Sequence, residues 1–505
     1  MNFLLLIFAA IIFRVYLILR DSVPFAYDMG RDLLWAKDIS YYHIPTLIGP
    51  AASIWGIYFG PFWYYFLSIP LFLSGGNPLS AVYATFATIV STGLLAYFLF
   101  KKYLTKQYAL IFLTIILFSA ALINISTFAF HANVLPLLTL VTVYLSFLSV
   151  VKNPLFLAAG FLSVSLMFHA DPAPAVVFTS VPVFIFLYFK LYKTKELLKL
   201  ITLSVFGYIA PFAPQIFFEI RHNFLETKSL VAYFQGKNPS LSGQLPLVPR
   251  IVSRLDLYFE FFKSGFAQNN FFACLFLIII IIGTFLFLKT NKDKKLSVLF
   301  KINLYSFILT FLIFTIFVTV EIKNWYLYGV TVLFAFLIVF ALYGVRSYKF
   351  VLPLFLTTYV FLNILPFFKK ERIVISRSDP AQLTNQLSAL NLIYSDSANL
   401  PFSVYTFTPS IYDYNYQYLF WWQGIKLGRG QPEDFAYLPN VPDYVRNKGI
   451  YAKNTKPTDT IYLIIEKGKE NEFYTKENWL KNFDRYRLIW EKNIGNAVIV
   501  QKRQK

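Results

Sequence analysis

Long runs of uncharged, apolar residues constrain this chain more than anything else in it. Leu79 to Phe100 carries no charge, and about 20 such residues are what an α-helix needs to cross the hydrocarbon core of a bilayer. The same signal along the chain places spans near 2–20, 79–100, 108–124, 132–150, 155–170, 173–190, 197–218, 269–289, 299–319, 325–345 and 350–367. The composition agrees: 57% hydrophobic, 20% aromatic and 14% charged residues, with a mean hydropathy of +0.56, lie outside the range of ordinary globular domains. The expected class is a polytopic α-helical membrane protein with about 11 transmembrane helices. The stretch 60–74, bracketed by Pro61 and Gly75-Gly76, is short and reads as a helix lying in the membrane interface.

Charge orients these spans. The net charge of +20 resides largely in short loops, where it sets topology and meets anionic headgroups, so no nucleic-acid partner is expected. One set of loops holds Lys101, Lys102, Lys106, Lys152, Lys190, Lys193, Lys195, Lys199, Lys289, Lys292, Lys294, Lys295, Arg346 and Lys349. By the positive-inside rule these are cytoplasmic, as is the N-terminus. The alternate set holds Asp21, Asp28, Asp32, Asp38, Asp171, Glu219, Glu226, Asp256, Glu260 and Glu321. The four histidines, His43, His131, His169 and His222, fall on that side too. The N-terminal apolar stretch runs into an acidic loop and reads as a retained anchor. The single cysteine, Cys274, lies in an apolar run and is expected to pack in the core.

From about Glu371 polar residues become common and short β-rich runs appear at 402–407, 460–465 and 497–501. Between them, 412–427 and 476–483 read as helical. The expected organisation is a membrane domain over 1–370, with its first outer loop at 21–78, and a small extracytoplasmic α/β domain over 371–505. The segment from Glu219 to Lys263, with Gly236, Pro239, Gly243, Pro246 and Pro249, reads as a long outer loop.

The chemistry, on this reading, faces outward. Tyr27-Asp28-Met29-Gly30-Arg31-Asp32 follows the first span directly, and charges at a membrane boundary must be solvated, paired or used. Asp28 is suited to capping a helix or to accepting a proton from a hydroxyl. Asp32 follows four residues later, on the same helical face, placed to pair with Arg31 or to tune Asp28. No phosphate-cradling Gly-rich loop, Cys/His zinc pattern or His-Glu-x-x-His helix occurs, nor a Gly-x-Ser-x-Gly elbow. Carboxylates, cations that steady a departing phosphate and aromatics at headgroup level suit sugar transfer from a phosphate-linked lipid.

At these residues the chain resembles membrane glycosyltransferases of the C-type fold, close to family 39, which includes protein O-mannosyltransferases and lipid A aminoarabinose transferases. The likeness rests on residues 27–32, on Gly60-Pro61-Phe62-Trp63-Tyr64-Tyr65, on Phe168-His169 and on Phe218-Glu219-Ile220-Arg221-His222-Asn223. It implies Asp28 as the catalytic general base, supported by Arg31; Asp32 is a supporting residue by its place on the same helical face. Met29 stands where many members have Glu and takes no role. Donor-phosphate contacts are expected from His169, Arg221 and Arg31, with Glu219, His222 and Asp171 shaping the loops around them. Trp421 and Trp422, with Tyr412, Tyr414 and Tyr416, are candidates for holding an acceptor. No cofactor is indicated; the outward histidines permit a divalent metal, but no spacing demands one.

The expected partners are a polyprenyl-phosphate sugar donor, a lipid, glycan or protein acceptor, and membrane lipids. The expected location is the plasma membrane. Two other readings stand beside this one. Trp421-Trp422-Gln423-Gly424 is similar to an oligosaccharyltransferase motif, but that family has Asp where Gln423 stands. A transporter or lipid flippase would place ionisable residues near mid-span and show repeated halves, and neither is evident.

Overall fold

A computed structural model describes residues 3–20, 23–52, 54–237, 245–318, 321–368, 378–439, 457–470 and 472–505. Asp21, Pro239, Gly243 and Glu371 lie outside the described residues. In chain order the helices are α1 (Phe3–Leu19), α2 (Tyr27–Tyr42), α3 (Phe62–Leu73), α4 (Leu79–Tyr103), α5 (Lys106–Phe118), α6 (Ala120–Ile125), α7 (Leu135–Val151), α8 (Phe156–Met167) and α9 (Pro172–Tyr188). They continue with α10 (Leu197–Ile209), α11 (Ala213–Arg221), α12 (Leu225–Phe234), α13 (Leu247–Phe262), α14 (Asn270–Thr290), α15 (Lys294–Ile316), α16 (Val330–Gly344) and α17 (Val351–Ile364). Then α18 (Leu383–Ser397) and α19 (Tyr414–Leu427) alternate with strands β1 (Ser403–Phe407), β2 (Phe435–Ala436), β3 (Thr460–Glu466), β4 (Arg487–Ile494) and β5 (Val498–Gln504).

The chain forms two compact units. The larger comprises Met1–Arg14, Pro45–Phe66 and Tyr83–Phe368; the smaller comprises Val15–Ile44, Leu67–Val82 and Lys369–Lys505. Residues of the first outer loop, with α2, therefore belong to the same unit as the C-terminal segment.

Among the described residues, five helical stretches are long and apolar enough to cross a membrane: Leu79–Tyr103, His131–Val151, Leu197–Arg221, Asn270–Thr290 and Lys294–Ile316. Shorter apolar helices accompany them. Helix α16 is buried almost throughout, as a helix apolar on every side must be when its neighbours surround it. It meets α14 at closest range where Gly283 faces Ala341 and Gly344; a Cβ on Gly283 would fall 2.8 Å from the Ala341 Cα. Small residues give this backbone-to-backbone approach in the absence of a hydrophobic drive between helices. Rings of Phe100, Phe112, Phe336 and Phe340 fill the adjacent core at centroid separations of 4.4–6.3 Å. Cys274, expected in the core, is exposed on α14. That helix is apolar all round, so its residue types do not mark which side faces inward.

The smaller unit is built on a five-stranded sheet in the order β2-β1-β3-β5-β4, with β1 parallel to β2 and β3, and β5 antiparallel to β3 and β4. Alternation splits the faces. Tyr405, Phe407, Ile461, Leu463 and Ile465 pack on one side with Trp479, Phe483 and Tyr486. Tyr462 projects to the other and donates to Asp396 of α18 at 2.6 Å. Helix α2 packs on α19 through Gly30: a Cβ there would sit 2.7 Å from the Tyr414 carbonyl carbon. Only glycine tolerates so close a backbone.

Candidate functional site

Helix α2 brings three charged residues together. Arg31 reaches Asp28 through Nη1 (2.9 Å to Oδ1) and Asp32 through Nε and Nη2 (2.9 and 2.8 Å to Oδ1). The three differ in access: the Asp32 side chain is 1% exposed, Arg31 14% and Asp28 51%. Arg31 thus clamps a buried carboxylate and steadies a half-exposed one. Asp28 also stands in the first turn of α2, where the helix dipole favours a negative charge. The Arg31 guanidinium lies over the Tyr27 ring, 5.6 Å from its centroid. Of the predicted residues, Asp28, Arg31 and Asp32 are the ones the smaller unit gathers at a single point. With both carboxylates already on its guanidinium, Arg31 is set up to hold Asp28 and less to receive a phosphate.

Trp421 and Trp422 are in the same unit but turn inward. Trp421 is 2% exposed; its indole N–H donates to the Tyr42 hydroxyl at 2.9 Å and its ring meets Tyr41 edge-on. Both tryptophans lie against Gly76, whose positive φ of 80° leaves no room or conformational freedom for a side chain. Lys37, buried and paired with Asp38 at 3.1 Å, completes the packing with its ammonium over the Tyr42 and Trp421 rings. Trp421 thereby joins α19 to α2.

In the larger unit the predicted residues have mostly backbone partners. Glu219 accepts from the backbone N–H groups of Glu226 and Thr227 at 2.7 and 2.9 Å and from the Thr227 hydroxyl. It thereby caps α12, whose entry is twisted by Asn223 and Phe224, both with positive φ. Among the described residues no ion pair joins Glu219 to Arg221, which is exposed at the end of α11. His222 Nδ1 bonds the Phe218 carbonyl at 2.8 Å, one turn back. His169 is 3% exposed and lies under Gly60-Pro61, where its Nδ1 accepts from the Phe62 N–H at 3.4 Å. Asp171 caps α9 by accepting from the Ala173 N–H at 3.1 Å. Burial pushes its carboxyl up to about 7, against the opposing pull of the Ala173 N–H and the Trp325 indole.

Two features of this unit escaped the sequence reading. Glu226 accepts from the Tyr58 N–H at 2.9 Å and so ties the 45–60 segment to α12, its carboxyl pushed up to about 7 by burial. On α13, Arg250 and Arg254 are buried while Leu247, Val248, Val252 and Leu255 are exposed. The arginines donate to the Ile316 and Val318 carbonyls at 3.1 and 3.2 Å, where α15 ends. Arg250 Nε–H has no partner among the described residues. The sequence shows two cations four residues apart, and with Asp256 and Glu260 on the same helix it does not mark which side is buried. Among the described residues no three His, Cys, Asp or Glu side chains gather to hold a metal ion.

The architecture matches solved structures over its whole length. A crystal structure of ArnT from Cupriavidus metallidurans bound to undecaprenyl phosphate superposes with a TM-score of 0.60, covering 99% of this chain and 97% of that one at 11% identity. The apo structure of the same protein gives 0.59 at 10% identity, with the same coverage. The fold is the C-type membrane glycosyltransferase fold. It makes this chain a polytopic helical membrane protein with a small C-terminal sheet. No protein-family model and no curated protein matches the sequence.

Proposed function

We propose that this chain transfers a sugar from a polyprenyl-phosphate donor to an acceptor hydroxyl at the extracytoplasmic face, with inversion at the anomeric carbon. The observation that carries the reading is Asp28: a half-exposed carboxylate held by Arg31 in the first turn of α2. Asp28 takes the proton of the acceptor hydroxyl as its oxygen attacks the anomeric carbon. The carbon–oxygen bond to the phosphate breaks, and the polyprenyl phosphate leaves with the bonding pair. The undecaprenyl phosphate bound by the structurally similar ArnT supports the donor class. Asp32, buried on the other side of Arg31, fixes that guanidinium and through it Asp28.

For the lipid phosphate we propose Arg250 and Arg254 ahead of His169 and Arg221. A guanidinium held in a buried setting with an N–H to spare suits a phosphate oxygen, whereas His169 is packed under Gly60. About eleven spans, a cytoplasmic N-terminus and an outward-facing smaller unit follow from the lysine and arginine bias. Trp421 and Trp422 contribute packing, and the acceptor is held elsewhere.

The test uses the purified full chain in lipid nanodiscs with a labelled polyprenyl-phosphate sugar. Release of polyprenyl phosphate coupled to a glycosylated product, undiminished by chelation, is expected. Counterflow of the labelled donor across vesicles without any product would overturn the reading in favour of transport.

A further inference from the structure

We infer that Tyr27, Tyr412 and Tyr414 form a carbohydrate-binding platform that seats a sugar ring of the acceptor beside Asp28. The acceptor hydroxyl then belongs to a glycan or glycolipid. This rests on the transfer reading above and names its second substrate class.

The three rings come from two elements of the smaller unit. Tyr27 opens α2 immediately before Asp28, and Tyr412 and Tyr414 lead into α19. Tyr412 and Tyr414 stack with centroids 5.7 Å apart and planes at 14°. Tyr27 leans against both, 5.1 Å from Tyr414 and 6.2 Å from Tyr412, at 53° and 46°. The result is a corner of aromatic faces, with the Arg31 guanidinium on Tyr27 and the Asp28 carboxylate 2.9 Å from that guanidinium.

Burial separates this cluster from ordinary core. The next tyrosines along α19, Tyr416 and Tyr418, are 1% and 0% exposed, while Tyr412 is 39% exposed and Tyr27 and Tyr414 are half-buried. Keeping large rings in contact with water forgoes the stabilisation of burying them, and these three do so around the half-exposed carboxylate. A ring face carries negative charge and its edge positive, so it attracts the polarised C–H groups of a pyranose, while the phenol rims meet its hydroxyls. Burial, then the neighbouring Tyr27 and Tyr412, pushes the Tyr414 phenol up to about 12, and burial raises Tyr27 too. Both therefore stay protonated donors at neutral pH. A peptide would instead need open backbone groups. Here three N–H groups are already taken: Ile411 donates to the Thr408 carbonyl, Tyr412 to Ser410 and Gln417 to Asp413, at 3.0, 2.8 and 3.0 Å.

Saturation-transfer NMR on the full chain in nanodiscs tests this without requiring turnover. Aromatic protons are irradiated in the presence of maltotriose, chitotriose or a short Ser/Thr-containing peptide. We expect saturation to reach the C–H protons of at least one saccharide. Tyr412→Ala and Tyr414→Ala should each raise its Kd at least tenfold, while Phe473→Ala, 92% exposed outside the cluster, leaves it unchanged. Transfer to the peptide alone, to no saccharide, or with a Kd unmoved in both tyrosine variants would overturn the platform. Saccharide binding in a protein that turns over no lipid-phosphate sugar would instead sink the transfer reading and leave the glycan site standing.

Discussion

The charge cluster on α2 and the buried charged groups of the larger unit are held in different ways. On α2, Arg31 is held by two carboxylates side chain to side chain, and one of them, Asp28, keeps half of its surface open. In the larger unit Glu219, Glu226, Asp171, Arg250 and Arg254 are bonded chiefly to main-chain groups at helix ends and loop junctions. Partners of that second kind fix architecture: they satisfy amides and carbonyls that would otherwise be stranded near lipid. A side-chain clamp with one oxygen left accessible can take part in a reaction. The contrast separates Asp28 from Glu219, Glu226 and Asp171; Glu196, Glu260 and Glu321 of the larger unit pair with one lysine each, with no second carboxylate on the same cation among the described residues.

Three experiments would break or sharpen this contrast. The largest effect is expected at Arg31. Arg31→Met removes the guanidinium from a carboxylate that is 1% exposed, and breaking a buried pair from one side costs about 3–5 kcal/mol. Denaturation of the full chain should therefore shift strongly for Arg31→Met and little for Asp28→Asn. Equal shifts would show that both acids are structural. Next, Arg250→Met should weaken binding of polyprenyl phosphate by about ten- to a hundredfold, the worth of a charge-assisted hydrogen bond, with Arg221→Met near wild type. The reverse ranking would return the phosphate to the end of α11.

The smallest effect concerns pH. Glu466, at the end of β3, is pushed up to about 7 by burial. Its folded value lies above the ordinary one of 4.5, so the folded state holds the proton longer. Its contribution to stability is full below about pH 4.5 and falls towards pH 7, by at most about 1.4 kcal/mol per pH unit. Glu466→Gln should flatten that slope in the smaller unit. A slope unchanged in the variant would assign it to another group.

Much of this was legible in the sequence because it depends on short-range signals. Uncharged runs marked the membrane class, and the stretch expected at 60–74 is helical over Phe62–Leu73. Three of the strands lie where alternation placed them. β4 was missed because it is exposed along most of its length and so lacks a buried alternate face. The charge cluster at Asp28 was visible as well. Its partner was not: Gly30 is glycine because the backbone of Tyr414 and Asn415 lies on it, a contact between segments far apart in sequence. The tryptophan pair is ambiguous for a related reason. Adjacent aromatics on a helix look alike whether they grip a ligand or, as with Trp421 on Tyr41 and Tyr42, pack one helix on another. Arg250 and Arg254 needed the fold to show that their side of α13 is the buried one.

The central claim is that the half-exposed carboxylate of α2 removes the acceptor proton. It is tested by the turnover of Asp28→Asn, measured on folded full-length protein with saturating polyprenyl-phosphate sugar and acceptor. A fall of about 10²–10⁴-fold is predicted, the typical worth of general-base assistance, with an unchanged melting profile. Turnover equal to that of the wild type would contradict it.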